Sequence, residues 1–198
     1  MRLLTLCVVV LMWIPSASLA QAPAGVPVFK ITPIQSTIRF GVKASVPIEG
    51  TFTKWDATMT FTSTDPLTGV IDIKIDAASV DTGSGMKDKK LKSKDFFNVN
   101  EDPYILFHST KKVQTGADTF ELDGNFTIRG VTKDEKLVMK ASGVGKGSVT
   151  VEGTMAFDRK EYGMNSGIPF IKIADRVEVI VSLKYERISG PPMVLKKF

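Results

Sequence analysis

Apolar residues in this chain recur at every second position in run after run, and that period of two constrains the fold more than any other feature. Ile38, Phe40 and Val42 share one face of an extended segment, as do Ile71, Ile73 and Ile75, then Ile105 and Phe107, then Leu122, Gly124, Phe126 and Ile128. Leu137, Met139 and Ala141 continue the pattern, followed by Val149, Val151, Gly153, Met155 and Phe157, and last by Val177, Val179, Val181, Leu183 and Tyr185. Successive side chains of a strand point to opposite faces, so each run reads as a strand with one face on a core and the other in water. About eight such strands, separated by turn chemistry at Asp65-Pro66, Gly116-Ala117-Asp118 and Gly143 to Gly147, predict an antiparallel sheet closed on itself.

The phase of the pattern slips once. Phe52 is even-numbered, whereas Trp55, Ala57, Met59 and Phe61 are odd. A bulge or sharp bend near Thr53 and Lys54 turns both sets inward, as a barrel wall requires. A single segment, roughly Lys87 to Phe96, reads as a helix, with Leu91 and Phe96 packing it on the barrel as a plug or lid. The residues after Gly190-Pro191-Pro192 read as a tail, and the lack of a fixed-period repeat argues against a propeller or solenoid.

Residues 1–20 read as an export signal. Arg2 supplies a short positive region, Leu3 to Ile14 an apolar run too short to span a bilayer comfortably, and Ser18-Leu19-Ala20 the small residues of a cleavage site. Cleavage after Ala20 leaves residues 21–198 as one domain, periplasmic or secreted. It removes one of 26 basic residues and none of the 21 acidic ones, so the mature protein is mildly basic. It also removes Cys7, the only cysteine, which has no lipobox before it. An exported chain without disulfides must rest on its hydrophobic core.

The supply of reactive groups argues against catalysis. His108 is the only histidine, which rules out a metal site built on several imidazoles, and the mature chain has no thiolate ligand or nucleophile. No Gly-x-Ser-x-Gly elbow presents a serine to His108, which is opposite in phase to Ile105 and Phe107 and so reads as an outward strand residue. Asp72 and Asp76 likewise alternate with inward isoleucines. Gly143 to Gly147 lacks the strand-to-helix setting of a phosphate loop and reads as a hairpin turn. Small net charge without a face of interleaved aromatic and basic residues disfavours nucleic acid. Lys87, Lys89, Lys90, Lys92 and Lys94 form the one basic cluster, tempered by Asp88 and Asp95. It reads either as a solvated helix face or as a collar giving transient, salt-sensitive contact with an anionic membrane surface.

The segment from Val80 to Ser109 holds, in order, Asp81-Thr82-Gly83, Asp88, Leu91-Lys92-Ser93, Asp95-Phe96-Phe97, Pro103 and Phe107-His108-Ser109. Gln35 to Phe40 precedes it; Asp123 to Lys133 (DGNFTIRGVTK) and Arg159, Tyr162, Gly163 and Met164 follow. These blocks in this order resemble the YceI-like family over nearly all of the mature chain. One departure is Val42-Lys43-Ala44, where many relatives carry a histidine after Val-Lys; nothing tied to that histidine transfers here.

The resemblance implies an all-β, lipocalin-like barrel with one short helix, in a family associated with holding long apolar molecules such as polyisoprenoids. On that implication Phe40, Val42, Trp55, Met59, Phe61, Phe107, Phe126, Met139, Met155 and Phe157 are the candidate lining of a lipid tunnel. Flexible, polarisable methionine and flat aromatics suit a chain with many conformations, though any one inward Phe or Met is more often plain core. Asp88, Asp95 and Arg159 either meet a headgroup or form a buried Arg–Asp contact fixing the helix on the barrel. The function expected is non-catalytic binding, sequestration or transport of a polyisoprenoid or isoprenoid quinone in the cell envelope, with that lipid as the only bound group. The alternative is an envelope interaction or stress-response module with a filled core. Association as a homodimer is left open.

Overall fold

A computed structural model describes residues 25–167 and 171–195. The expected leader at residues 1–20 lies outside them. The strands are β1 (Val28–Ile31), β2 (Thr37–Ala44), β3 (Ile48–Phe52), β4 (Trp55–Thr60), β5 (Val70–Asp76) and β6 (Val80–Asp81), then, after helix α1 (Gly85–Lys92), β7 (Tyr104–Gln114), β8 (Thr119–Ile128), β9 (Val131–Ser142), β10 (Ser148–Asp158) and β11 (Ile173–Ser189). They pair antiparallel in the order β4-β5-β7-β8-β9-β10-β11-β2-β3-β6, with β1 added along β11.

That order dictates the curl. β3 pairs with β2 towards one end of the path and β4 with β5 at the other, yet only Thr53 and Lys54 separate β3 from β4 in sequence. So short a link can join the two sides only if the sheet rolls up. The phase slip at Thr53 and Lys54 is therefore the corner at which one strand leaves its first neighbour and joins its second. Bending frees backbone groups, and Ser79 satisfies them: its carbonyl accepts from the Thr53 amide at 3.1 Å and its hydroxyl from the Lys54 amide at 3.0 Å. With β3 and β4 taken as one bent strand, the wall is the closed antiparallel sheet of about eight strands that the alternation predicts, and so the lipocalin-like barrel that the resemblance implies.

Inside, the period of two becomes burial. Phe120, Leu122, Phe126 and Ile128 of β8 are buried, as are Val149, Val151, Met155 and Phe157 of β10. Gly124 and Gly153 fill inward positions because neighbouring side chains occupy the space. A Cβ on Gly124 would lie 2.6 Å from the Phe107 ring, and one on Gly153 2.8 Å from Val181. β7 slips its register against β8 between Ser109 and Lys111, and the buried Ser109 hydroxyl accepts the Ile71 amide at 2.8 Å.

Two expectations need correction, and one strand went unread. The helix spans Gly85–Lys92 rather than Lys87 to Phe96, because Ser93 turns extended (ψ 167°) while its amide and hydroxyl both return to the Lys90 carbonyl. This early stop swings Phe96 and Phe97 down onto the barrel, where both are buried. Residues 191–195 do not trail off as a tail, since Met193 is buried and the Val194 amide donates to the Thr64 carbonyl at 3.0 Å. Finally, β1 had no counterpart in the alternating runs; only four residues long, it is too short to show the period.

Candidate functional site

α1 and the turn after it lie across one end of the barrel, next to the β2–β3 hairpin, the β8–β9 turn and the segment following β10. Beneath them is a cavity of about 60 Å³ whose exposed lining is entirely apolar. Leu91, Phe96 and Phe97 come from the roof, Phe40 and Val42 from β2, Phe126 from β8 and Phe157 from β10. A second apolar cavity of about 30 Å³ lies deeper, bounded in part by Phe107, Leu137 and Met155. Ile75, Ile105, Phe126 and Val179 line both, so they form the partition between two chambers.

Aromatic rings frame the upper chamber. Phe40, Phe52 and Phe97 form a triangle with centroids 5.6 to 6.3 Å apart. Phe126, Phe157 and Tyr162 form another at 5.1 to 5.5 Å, with Tyr162 edge-on to both phenylalanines. Tyr162 is fully buried, and its hydroxyl donates to Glu135 Oε1 at 2.8 Å. Burial first, then the Glu135 carboxylate, pushes that phenol well above its ordinary range, so it stays protonated.

Arg159 is the one charged residue on the lining, 6% exposed. Its donors are already committed. Nε donates to the Ala174 carbonyl at 3.2 Å, Nη1 to the carbonyls of Met164 and Ser166, and Nη2 to Asp175 Oδ1 at 3.1 Å. The Lys160 ammonium, 2.9 Å from the other carboxylate oxygen, and then Arg159 hold Asp175 below the usual carboxylate range. The guanidinium thus ties the segment after β10 to the start of β11 and shows the cavity only its apolar stem.

The two acids grouped with Arg159 by sequence do not reach it. Asp88 accepts from the Thr82 amide at 2.9 Å and hydroxyl at 2.7 Å, fastening the Asp81-Thr82-Gly83 turn to the first turn of α1. Asp95 pairs with Lys90 at 2.6 Å, and that contact lowers its pKa. The Arg–Asp pair exists, but its acid is Asp175. Arg129 does the fixing, donating to the Lys94 carbonyl at 2.9 Å and to the carbonyls of Tyr162 and Gly163.

Of the expected lining, Phe40, Val42, Phe126 and Phe157 meet at the upper chamber, and Phe107 and Met155 join Phe126 at the lower. Four do not reach either. Met59 and Met139 are buried where side chains fill the barrel, Trp55 is half-buried beside the core, and Phe61 packs on Phe29 at 5.7 Å near the other end. Alternation separates inside from outside but carries no depth along the barrel, so it could not distinguish the two ends. The roof residue Phe97 went unselected, although the Asp-Phe-Phe block marks it.

A family model for the YceI-like domain matches residues 29–185. A UPF0312 protein of Azotobacter vinelandii is 30% identical over 140 residues, covering 68% of this chain and 72% of that protein. Among solved structures, BcnA of Burkholderia cenocepacia superposes with a TM-score of 0.71 at 24% identity, over 78% of this chain and 99% of that one. A polyisoprenoid binding domain from Saccharophagus degradans, implicated in plant cell wall breakdown, superposes at 0.62 with 12% identity, over 81% and 99% of the two chains. At such identities these two structures establish the shared fold.

Proposed function

The chain belongs to the YceI-like family, and on that footing we propose that it binds a long apolar lipid of the polyisoprenoid type inside the barrel, in the cell envelope after export, without a catalytic step. The observation that carries this reading is the wholly apolar chamber under α1, in line with a second chamber behind Phe126. Burying a few hundred Å² of hydrocarbon at ~25 cal/mol per Å² supplies several kcal/mol, enough to survive the ordering of a flexible chain. Arg159 has spent its hydrogen bonds on the loop that it ties. The lining therefore suits a hydrocarbon tail and leaves any polar end, hydroxyl, phosphate or quinone ring, at the mouth.

Capacity sets the mechanism. At about 60 Å³ the upper chamber is smaller than the ~150 Å³ that accommodates benzene, so a polyisoprenoid enters as the roof shifts and Phe97 leaves its ring triangle. The same volumes favour the second reading, a filled scaffold whose loops meet an envelope partner. Replacing Phe97 with Trp puts a reporter in the roof. Titration with octaprenol is expected to change its emission saturably, while the Phe97-containing parent, whose Trp55 stands off the lining, changes little. No saturable change, with no octaprenol retained, decides for the scaffold.

A further inference from the structure

β7 changes phase once, and the change turns a lysine inward. Phe107 and Ser109 are buried on the inward row, so unbroken alternation would bring Lys111 next and leave Lys112 in water. Instead β7 inserts one extra residue, Thr110, where its register against β8 slips. Lys112 then stands opposite the fully buried Leu122, while Lys111 is exposed. Lys112 is half-buried at the end of the barrel away from α1, where its Nζ donates to the Pro66 carbonyl at 3.2 Å and lies 5.9 Å from the centre of the Phe61 ring. Gly69 leaves room for it, since a Cβ there would collide with that ring and stand 2.8 Å from Nζ. Lys90, Lys133, Lys136, Lys140 and Lys160 each pair with a carboxylate, whereas no carboxylate among the described residues comes within ion-pair reach of Lys112.

We propose that Lys112 is a covalent capture site for an aldehyde carried on an apolar chain, which it holds as a Schiff base. An ammonium has three donors, and a single carbonyl beside an aromatic ring leaves two of them without a protein acceptor in a site only partly open to water. Such a setting disfavours the charged form, and burial brings this amine down to about 8. A desolvated, neutral lysine is the form that adds to carbonyl carbon. The lone pair of Nζ forms the C–N bond, both amine protons pass to the carbonyl oxygen, and that oxygen leaves as water, so a C=N bond remains with no oxidant or reductant required. Phe61, packed on Phe29 at 5.7 Å, and Leu67 offer the aldehyde's chain an apolar surface. A carboxylate or phosphate would find only one cation there. The site is remote from α1, and octaprenol, an alcohol, has no carbonyl to attack, so this inference and the lipid-binding reading fail separately.

Competition among the lysines of one folded chain tests it, with no substitution required. The purified protein is treated near neutral pH with a limiting amount of decanal, the imine is fixed with sodium cyanoborohydride, and mass spectrometry of the digest locates the decyl groups. Lys112 should be labelled roughly tenfold or more faster than the exposed Lys89 and Lys146. With glycolaldehyde, which is small and polar, that preference should shrink severalfold. Lys112→Arg, which keeps a cation beside the ring, should lose the fast label and leave the slow ones unchanged. Even labelling of the lysines, or an equal preference for Lys112 with both aldehydes, overturns the proposal.

Discussion

At the residue scale, the polar groups that matter most are those that hold the cavity's rim rather than those that face it. Arg159 gathers three carbonyls and Asp175 while almost fully buried. Replacing it with Met leaves that ring of acceptors without a donor, and urea denaturation should show a loss of about 3 kcal/mol. Asp175 has its pKa lowered in the folded state, so its carboxylate favours folding above the unfolded value and the benefit fades as pH falls through the lower, folded one. Asp175→Asn should therefore cost more stability at pH 7 than at pH 3. Lys112 also has its pKa lowered on folding, but here the charged form is the one that folding disfavours. Burial under Phe61 lowers its ammonium to about 8, so the folded state holds its proton less tightly than the unfolded chain and stability rises between that pH and the normal lysine range. The melting temperature of Lys112→Met relative to the parent should be most favourable at pH 7 and should decline towards pH 10.5. Sequence told which way His108 and Asp72 point, since both are outward and meet at 2.6 Å. It could not tell which acid Arg159 would choose, because Asp175 lies 16 residues away on another strand and comes close through the β10–β11 pairing, in which Asp158 stands opposite Arg176.

At the scale of elements, the phase slip was legible because a bend that carries one strand between two neighbours must keep its apolar residues inward on both sides. The number and alternation of strands were legible for the same reason. The end of α1 was not: Lys, Ser and Asp are all tolerated in helices, and what ended this one was the gain from burying Phe96 and Phe97 in the barrel. The basic run divides in the structure. Lys90 is paired with Asp95 and lies 5.6 Å from the Phe96 ring, whereas Lys89 and Lys94 are exposed. Changing Lys87, Lys89, Lys90, Lys92 and Lys94 to Gln should lower stability by less than about 1 kcal/mol, chiefly through Lys90. If the run is a membrane collar, the variant should transfer octaprenol to acidic vesicles more slowly than the parent at low salt, and the gap should close as salt is added. Equal rates at low salt would return the run to an ordinary solvated face.

At the scale of the molecule, a curled sheet of this size lies at the boundary between a barrel filled by its own side chains and one holding a single elongated guest. Alternation cannot place a barrel on either side of that boundary, because both kinds need the same inward rows. The structure divides the interior instead: the half around Met59 and Met139 is packed, and the half under α1 keeps two apolar chambers partitioned by Phe126. Met155 borders the lower chamber, so Met155→Lys should either unfold a dry core or leave a folded barrel that no longer retains octaprenol. The most direct measurement is mass spectrometry of an organic extract of the protein, purified from its own cells without detergent. A polyisoprenoid or isoprenoid quinone released in near-equal molar amount, and absent from a folded Met155→Lys control, is the predicted result. An extract with no enriched lipid, from protein that also fails to retain added octaprenol, would contradict lipid binding and leave the barrel a filled scaffold.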